Sequence, residues 1–317
     1  MSIKTVGMIT SYHSITQSDW LWQQTPHPFG VWGNIQMSAP TSKPDILLLY
    51  NFQFPSLKPK KQQFNLFKPK PNVEQEIQAK LRGVPKERIV SLVREPPFPE
   101  KLQERERAYR RSQIYCGHVS GPDDLAPNPD YMPAIWYHAN SFRELNEMGV
   151  PEKVQTCSWI TSGVDRTNNH LKRLSFLKLL RDQGLDFDLY GRNLPDWSGG
   201  KGFLDNKWGA MAPYYYNLSV ENYADNDWYV SEKLWDALLA WCLPIYYGGP
   251  AADRLLPPGS FLRLPSMDEK GFNYIKEVTA TPDAWFAAKD AIAEARQIIL
   301  HKLNLLNWLS DFVSKLE

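Results

Sequence analysis

Lys233 closes the run Ser231-Glu232-Lys233, and the residues on either side give that lysine its chemistry. Glu221-Asn222 and the acidic loop Asp225-Asn226-Asp227 lead into it, and Trp235, Leu238 and Leu239 follow at helical spacing. The lysine is therefore expected in the first turn of a helix, where free backbone N–H groups and the positive end of the dipole favour an anion. A phosphate or diphosphate suits such a place, with the ammonium as a point charge. Asp225 and Asp227 also make a D-x-D pair, which can hold a divalent cation against a diphosphate, although short acidic loops without metal are common. The six histidines show no ligand spacing. Cys116, Cys157 and Cys242 are isolated and odd in number, so neither a zinc site nor a disulfide framework is expected.

The elements that position this run are strand, loop, helix and strand. Leu218 and Val220 alternate with Asn217 and Ser219, and Leu243 to Tyr247 is a second apolar strand stopped by Gly248-Gly249-Pro250. This is a βαβ unit, and in open α/β sheets ligands sit in the crevice at the carboxyl ends of the strands. The same alternation runs along the whole chain. Strands are expected at 4–10, 44–50, 88–93, 113–115, 156–161 and 187–190, and helices at 73–81, 99–111 and 168–183. Residues 282–316 are helical by period, 117–133 read as loop, and the lysine- and proline-rich stretch 56–71 reads as a solvated surface excursion.

Such alternation predicts parallel sheets between helices, in two doubly wound domains with a cleft between them. The division falls near Gln155, with an N-terminal domain over 1–154 and a C-terminal domain over 155–317, whose terminal helix can pack back on the first. A chain of 317 residues is long enough for both. The net charge of +1 argues against a nucleic-acid binder that relies on a basic face. Aromatics make up 13%, and Trp20, Trp22 and Trp32 crowd one stretch read as a proline-bearing loop, where they suit either packing or stacking on sugar rings. No apolar run is long enough for a spanning helix and no signal peptide is visible, so a cytoplasmic chain is expected, with peripheral membrane contact allowed.

At Glu221-Asn222, Tyr229-Val230-Ser231-Glu232-Lys233-Leu234 and Pro244-Ile245-Tyr246-Tyr247-Gly248 the chain resembles the α-1,3/1,4-fucosyltransferases, glycosyltransferase family 10. That signature runs F-E-N, then D-Y-[VI]-T-E-K-[LI], then P-[VI]-x-x-G. Val220 stands in place of the phenylalanine, Ser231 in place of the threonine, and Trp228 is one extra residue between Asp227 and Tyr229. Ser158 to Ser162, Arg173-Leu174-Ser175-Phe176 and Asp188 to Arg192 are similar to further family motifs, in family order. The N-terminal half matches only faintly.

The resemblance implies a GT-B-like fold and an inverting transferase that moves L-fucose from GDP-fucose to a hydroxyl of N-acetylglucosamine or glucose in a glycan acceptor. It implies that Arg173 and Lys233 stabilise the leaving diphosphate, that Glu232 binds hydroxyls of the ribose or the sugar, and that Glu221, Asn222, Tyr229 and Arg192, with Asn193, line or support the donor site. No cofactor is required on this reading; Mn²⁺ or Mg²⁺ could stimulate turnover by screening the diphosphate. Inversion needs one general base near the acceptor, and Glu95, between the strand ending at Val93 and Pro96-Pro97, is the candidate. Two other readings stand beside this one: a GT-B transferase for a different nucleotide sugar, and a catalytically silent glycan-binding protein. The latter has no need for cations aimed at a diphosphate.

Overall fold

Every residue of the strand Ile46–Tyr50 is buried, and its side chains divide between two cores. Ile46, Leu48 and Tyr50 join one cluster, while Leu47 and Leu49 join another on the opposite face. A strand covered on both faces belongs to a parallel sheet with helical layers either side. The computed structural model describes residues 3–12, 19–55 and 73–316.

Among the described residues, seven strands form the first sheet: β1 (Lys4–Thr10), β2 (Val31–Trp32), β3 (Ile35–Met37), β4 (Ile46–Tyr50), β5 (Ile89–Leu92), β6 (His118–Gly121) and β7 (Asn128–Pro129). Their order is β2-β3-β1-β4-β5-β6-β7, parallel throughout except for the antiparallel β2–β3 pair. The second sheet holds β8 (Gln155–Ile160), β9 (Asp188–Tyr190), β10 (Tyr214–Val220), β11 (Leu243–Tyr247) and β12 (Leu262–Arg263), in the order β12-β11-β10-β8-β9 and all parallel.

Several expectations give way. Residues 113–115, expected as a strand, are the last turn of the helix Leu102–Tyr115, with Tyr109, Ser112 and Tyr115 three apart on its buried side. The stretch 117–133, expected as loop, contains β6 and β7, strands too short to show a period. The segment around Trp20 to Trp32 holds the helix Asp19–Trp22 and one arm of the β2–β3 pair. The excursion expected over 56–71 lies outside the described residues.

The helical stretch after 282 is interrupted. The helix Asp283–Ile298 passes into a wide turn over Ile299–Leu303, and a new helix, Leu305–Ser314, starts where the Asn304 side chain accepts from the Leu306 N–H at 2.8 Å. Leu305, Leu306, Leu309 and Val313 of this last helix are buried in the core of the first sheet. Chain from beyond the second sheet thus returns to complete the first.

Candidate active site

The second sheet sets the place for a ligand by its connectivity. From β8 the chain adds β9 on one side, then returns to the other side of β8 for β10, so the order reverses between β8 and β10. Crevices of open α/β sheets form at such a reversal, outside the carboxyl ends of the strands. There a cavity of about 270 Å³ is lined by Ile160 to Ser162 after β8, Gly191 and Arg192 after β9, and Asn222 after β10. Glu232 and Lys233 close one side, and Arg173, Phe203 and Lys207 complete the wall. Gly191 is required at this edge: its φ is +147°, and a Cβ would lie 1.5 Å from the Thr161 carbonyl oxygen.

Lys233 owes its position to a helix cap. Ser231 begins the helix Glu232–Leu239, its side chain accepting from the Lys233 N–H at 3.4 Å. Glu221 is buried and secures that cap, its two carboxylate oxygens accepting from the Ser231 N–H at 2.8 Å and the Ser231 hydroxyl at 2.7 Å. Burial raises the Glu221 pKa, opposed by Lys233. Lys233 Nζ lies 3.5 Å from Glu221 and 3.6 Å from Glu232 Oε1, and donates to the Ser231 hydroxyl at 3.2 Å. Glu221 therefore acts on the architecture of the helix start and is absent from the cavity lining.

Arg173 is the most confined cation of the cavity lining. It sits in the helix Asn168–Asp182 with 3% of its surface exposed. Its guanidinium donates to Asn222 Oδ1 and to the Ser162 carbonyl at 2.9 Å, while its buried Nε has no hydrogen-bond partner among the described residues. Burial without a bonded carboxylate pushes its pKa down to about 10. Arg192 lies 5.7 Å from the ring of Phe203, which is 61% exposed on the rim. Lys207 donates to the buried Asp236 at 2.7 Å. Among the described residues the lining thus carries four cations, Arg173, Arg192, Lys207 and Lys233, against one carboxylate, Glu232.

Asn193 adopts a left-handed φ of 53° behind Arg192. Tyr229 is 4% exposed and packs behind the cavity, where burial raises its pKa and keeps the phenol neutral. The acidic loop is organised by hydrogen bonds: Asn226 Oδ1 accepts from the N–H groups of Trp228 at 2.8 Å and Tyr229 at 2.6 Å. No group of three metal-ligating side chains occurs among the described residues. The extra residue Trp228 donates through Nε1 to Asp124 at 2.8 Å, tying the loop to the first sheet.

The carboxyl ends of the first sheet face this cavity. Glu95 follows β5, is exposed, and accepts from the hydroxyl of Tyr12 after β1 and, at 3.5 Å, from Asn51 after β4. Arg94 crosses the cleft and donates to Glu232 Oε2 at 2.5 Å. Burial pushes the Glu232 pKa up, but Lys233, Arg94 and Lys207 together hold it well below the usual carboxylate range. Arg94, Lys207 and Phe203 escaped the sequence reading. Arg94 stands beside the candidate base, yet nothing along the chain tells which of two neighbours reaches the other half, and Lys207 and Phe203 lie in a loop without period. Trp22 and Trp32 turn their indole N–H groups inward, to the Met37 carbonyl at 2.7 Å and Asn307 at 3.2 Å, and Trp20 packs on Tyr137.

Residues 150–286 match the model of the glycosyltransferase family 10 (fucosyltransferase) C-terminal domain. The α-(1,3)-fucosyltransferase C of Drosophila melanogaster is 33% identical over 139 residues, which are 42% of this chain and 30% of that relative's length. Among solved structures, an α-glucosyltransferase in complex with UDP-glucose and DNA containing an abasic site aligns over 100% of both chains, with a TM-score of 0.58 at 9% identity. An α1,3-fucosyltransferase with GDP-fucose aligns over 95% of this chain and 91% of its own, with a TM-score of 0.40 at 15% identity. The two facing parallel sheets are those of the GT-B fold. Over residues 150–286 this chain is thus similar to glycosyltransferase family 10, the fucosyltransferase family.

Proposed function

We propose that the chain is an inverting fucosyltransferase that moves L-fucose from GDP-fucose to a hydroxyl of N-acetylglucosamine or glucose in a glycan acceptor. One observation carries this reading: Arg173, buried and without a bonded carboxylate among the described residues, shares a cavity at the strand reversal with Lys233. A desolvated guanidinium is stabilised by an anion brought to it, and a planar fork suits phosphate oxygens, while the lysine adds a point charge.

In the reaction, the acceptor hydroxyl attacks the anomeric carbon as the bond from that carbon to the diphosphate oxygen breaks. Glu95 takes the hydroxyl proton, and the departing GDP gains negative charge that Arg173 and Lys233 meet. Glu232 accepts hydrogen bonds from hydroxyls of the donor, and Asn222 fixes the Arg173 fork. Phe203, exposed beside Arg192, offers the nucleobase a stacking face. On this reading Arg173 and Lys233 supply the charge that meets the diphosphate, and no metal is assigned a step.

The test is a panel of nucleotide sugars, GDP-fucose and UDP-glucose among them, offered with N-acetylglucosamine- and glucose-containing saccharides. Product should form from GDP-fucose with the anomeric configuration inverted, as read by NMR. Turnover only with another nucleotide sugar would reassign the donor, and glycan binding without GDP affinity would make the chain a lectin-like protein.

A further inference from the structure

We propose that Arg94 is a positioning residue for transfer, reaching from the first sheet to aim the Glu232 carboxylate at the donor, so that the donor site is complete only when the two halves meet. The inference rests on the transfer reading above. Arg94 and Glu232 are separated by 138 positions and meet at 2.5 Å, with side chains 11% and 22% exposed. The contact uses Oε2. The other oxygen, Oε1, lies 3.6 Å from Lys233 Nζ, beyond hydrogen-bond length, and so keeps its acceptor capacity on the cavity side.

Arg94 is itself held. Its second N–H group donates to the Tyr137 hydroxyl, and its guanidinium lies 5.0 Å over the same ring. The Tyr137 N–H donates to Asp236 Oδ1 at 2.8 Å, and Asp236 accepts from Lys207 at 2.7 Å. Glu232 and Asp236 stand four residues apart on one face of the helix Glu232–Leu239. Of these two carboxylates on one helix face, Glu232 is gripped by Arg94 from the first sheet, and Asp236 by the Tyr137 N–H and by Lys207 from the β9–β10 connection. A planar fork that serves two acceptors at once cannot be replaced in kind by an ammonium. Arg94 also adjoins Glu95, so one peptide unit sets the candidate base relative to the donor carboxylate.

A buried ion pair can serve stability alone, and replacing it is then often harmless to function. The two roles separate in a double-mutant cycle of R94Q and E232Q, read as kcat/KM for GDP-fucose, with melting temperatures as the control for folding. Each single change should lower kcat/KM by about 10- to 100-fold, and the double variant should fall no more than about threefold below the worse single one. R94K, which keeps the charge but not the fork, should recover only part of the loss. Losses that simply multiply, or R94Q at the wild-type rate, would overturn the proposal. Should R94Q not fold, R94K takes its place: a loss in the wild-type background and almost none in E232Q supports the coupling, and equal losses in both overturn it. A wild-type protein that transfers nothing from GDP-fucose defeats the function reading and this inference with it; an active wild type with multiplicative losses defeats this inference alone.

Discussion

Arg173 and Lys233 reach the cavity from separate helices, and the chain treats them differently. Arg173 is nearly sealed and has its pKa lowered by burial, a condition that an incoming diphosphate relieves. Lys233 is held by hydroxyl and carboxylate neighbours at a helix start, ready to shift toward a stronger anion. Glu95 lies opposite, exposed and oriented by Tyr12 and Asn51. Replacing Glu95 by Gln should leave GDP affinity within about twofold while lowering transfer by about 10²-fold or more; calorimetry and a transfer assay on the same sample check both halves. Transfer at the wild-type rate would place the base elsewhere. Arg173, Glu232 and Lys233 were legible in the sequence because type and spacing fall within a short motif. Arg94 was not, since its meaning depends on a partner 138 positions away.

At the scale of elements, the helix Leu305–Ser314 does for the first sheet what its own half lacks the chain to do. Leu305, Leu306 and Leu309 are each 0% exposed in that core. Leu309→Ala should cost ~2–5 kcal/mol in urea unfolding followed by circular dichroism. A change within ~0.5 kcal/mol would mean that the helix is not part of this core. The period of residues 282–316 announces helix but not its break, because Asn304 ends one helix and caps the next without proline or glycine to mark the place. Strands β6 and β7 were missed for the related reason that four and two residues cannot display alternation. The βαβ unit from β10 to β11 was legible throughout, since its strands and helix are each apolar with the appropriate period.

At the scale of the molecule, two sheets present their carboxyl ends to one another and are joined by Arg94–Glu232 and Trp228–Asp124. The interior that results is unkind to protonated histidine. Burial lowers the pKa of His118, His170 and His301, and pushes that of His138 down to about 3, with Lys207 and Arg296 adding to the effect. A folded-state pKa below the unfolded value of ~6.5 means that the unfolded chain binds protons the folded chain refuses, so stability is lost as pH falls below that value. Glu221 and Asp236, whose pKa values are raised by burial, act in the opposite sense. The melting temperature should therefore drop between roughly pH 6.5 and 5, and His138→Phe should flatten that slope by up to about one proton, ~1.4 kcal/mol per pH unit. An unchanged slope in the variant would show that His138 is protonated when folded.

The central claim, that the cavity at the β8–β10 reversal holds a nucleoside diphosphate against Arg173 and Lys233, is tested most directly by calorimetric titration of GDP into the wild-type protein and Lys233→Ala. The wild type should bind one GDP per chain, and the variant, folded with a similar melting temperature, should bind it about 10²-fold more weakly. Equal GDP affinity in the two proteins would contradict the claim.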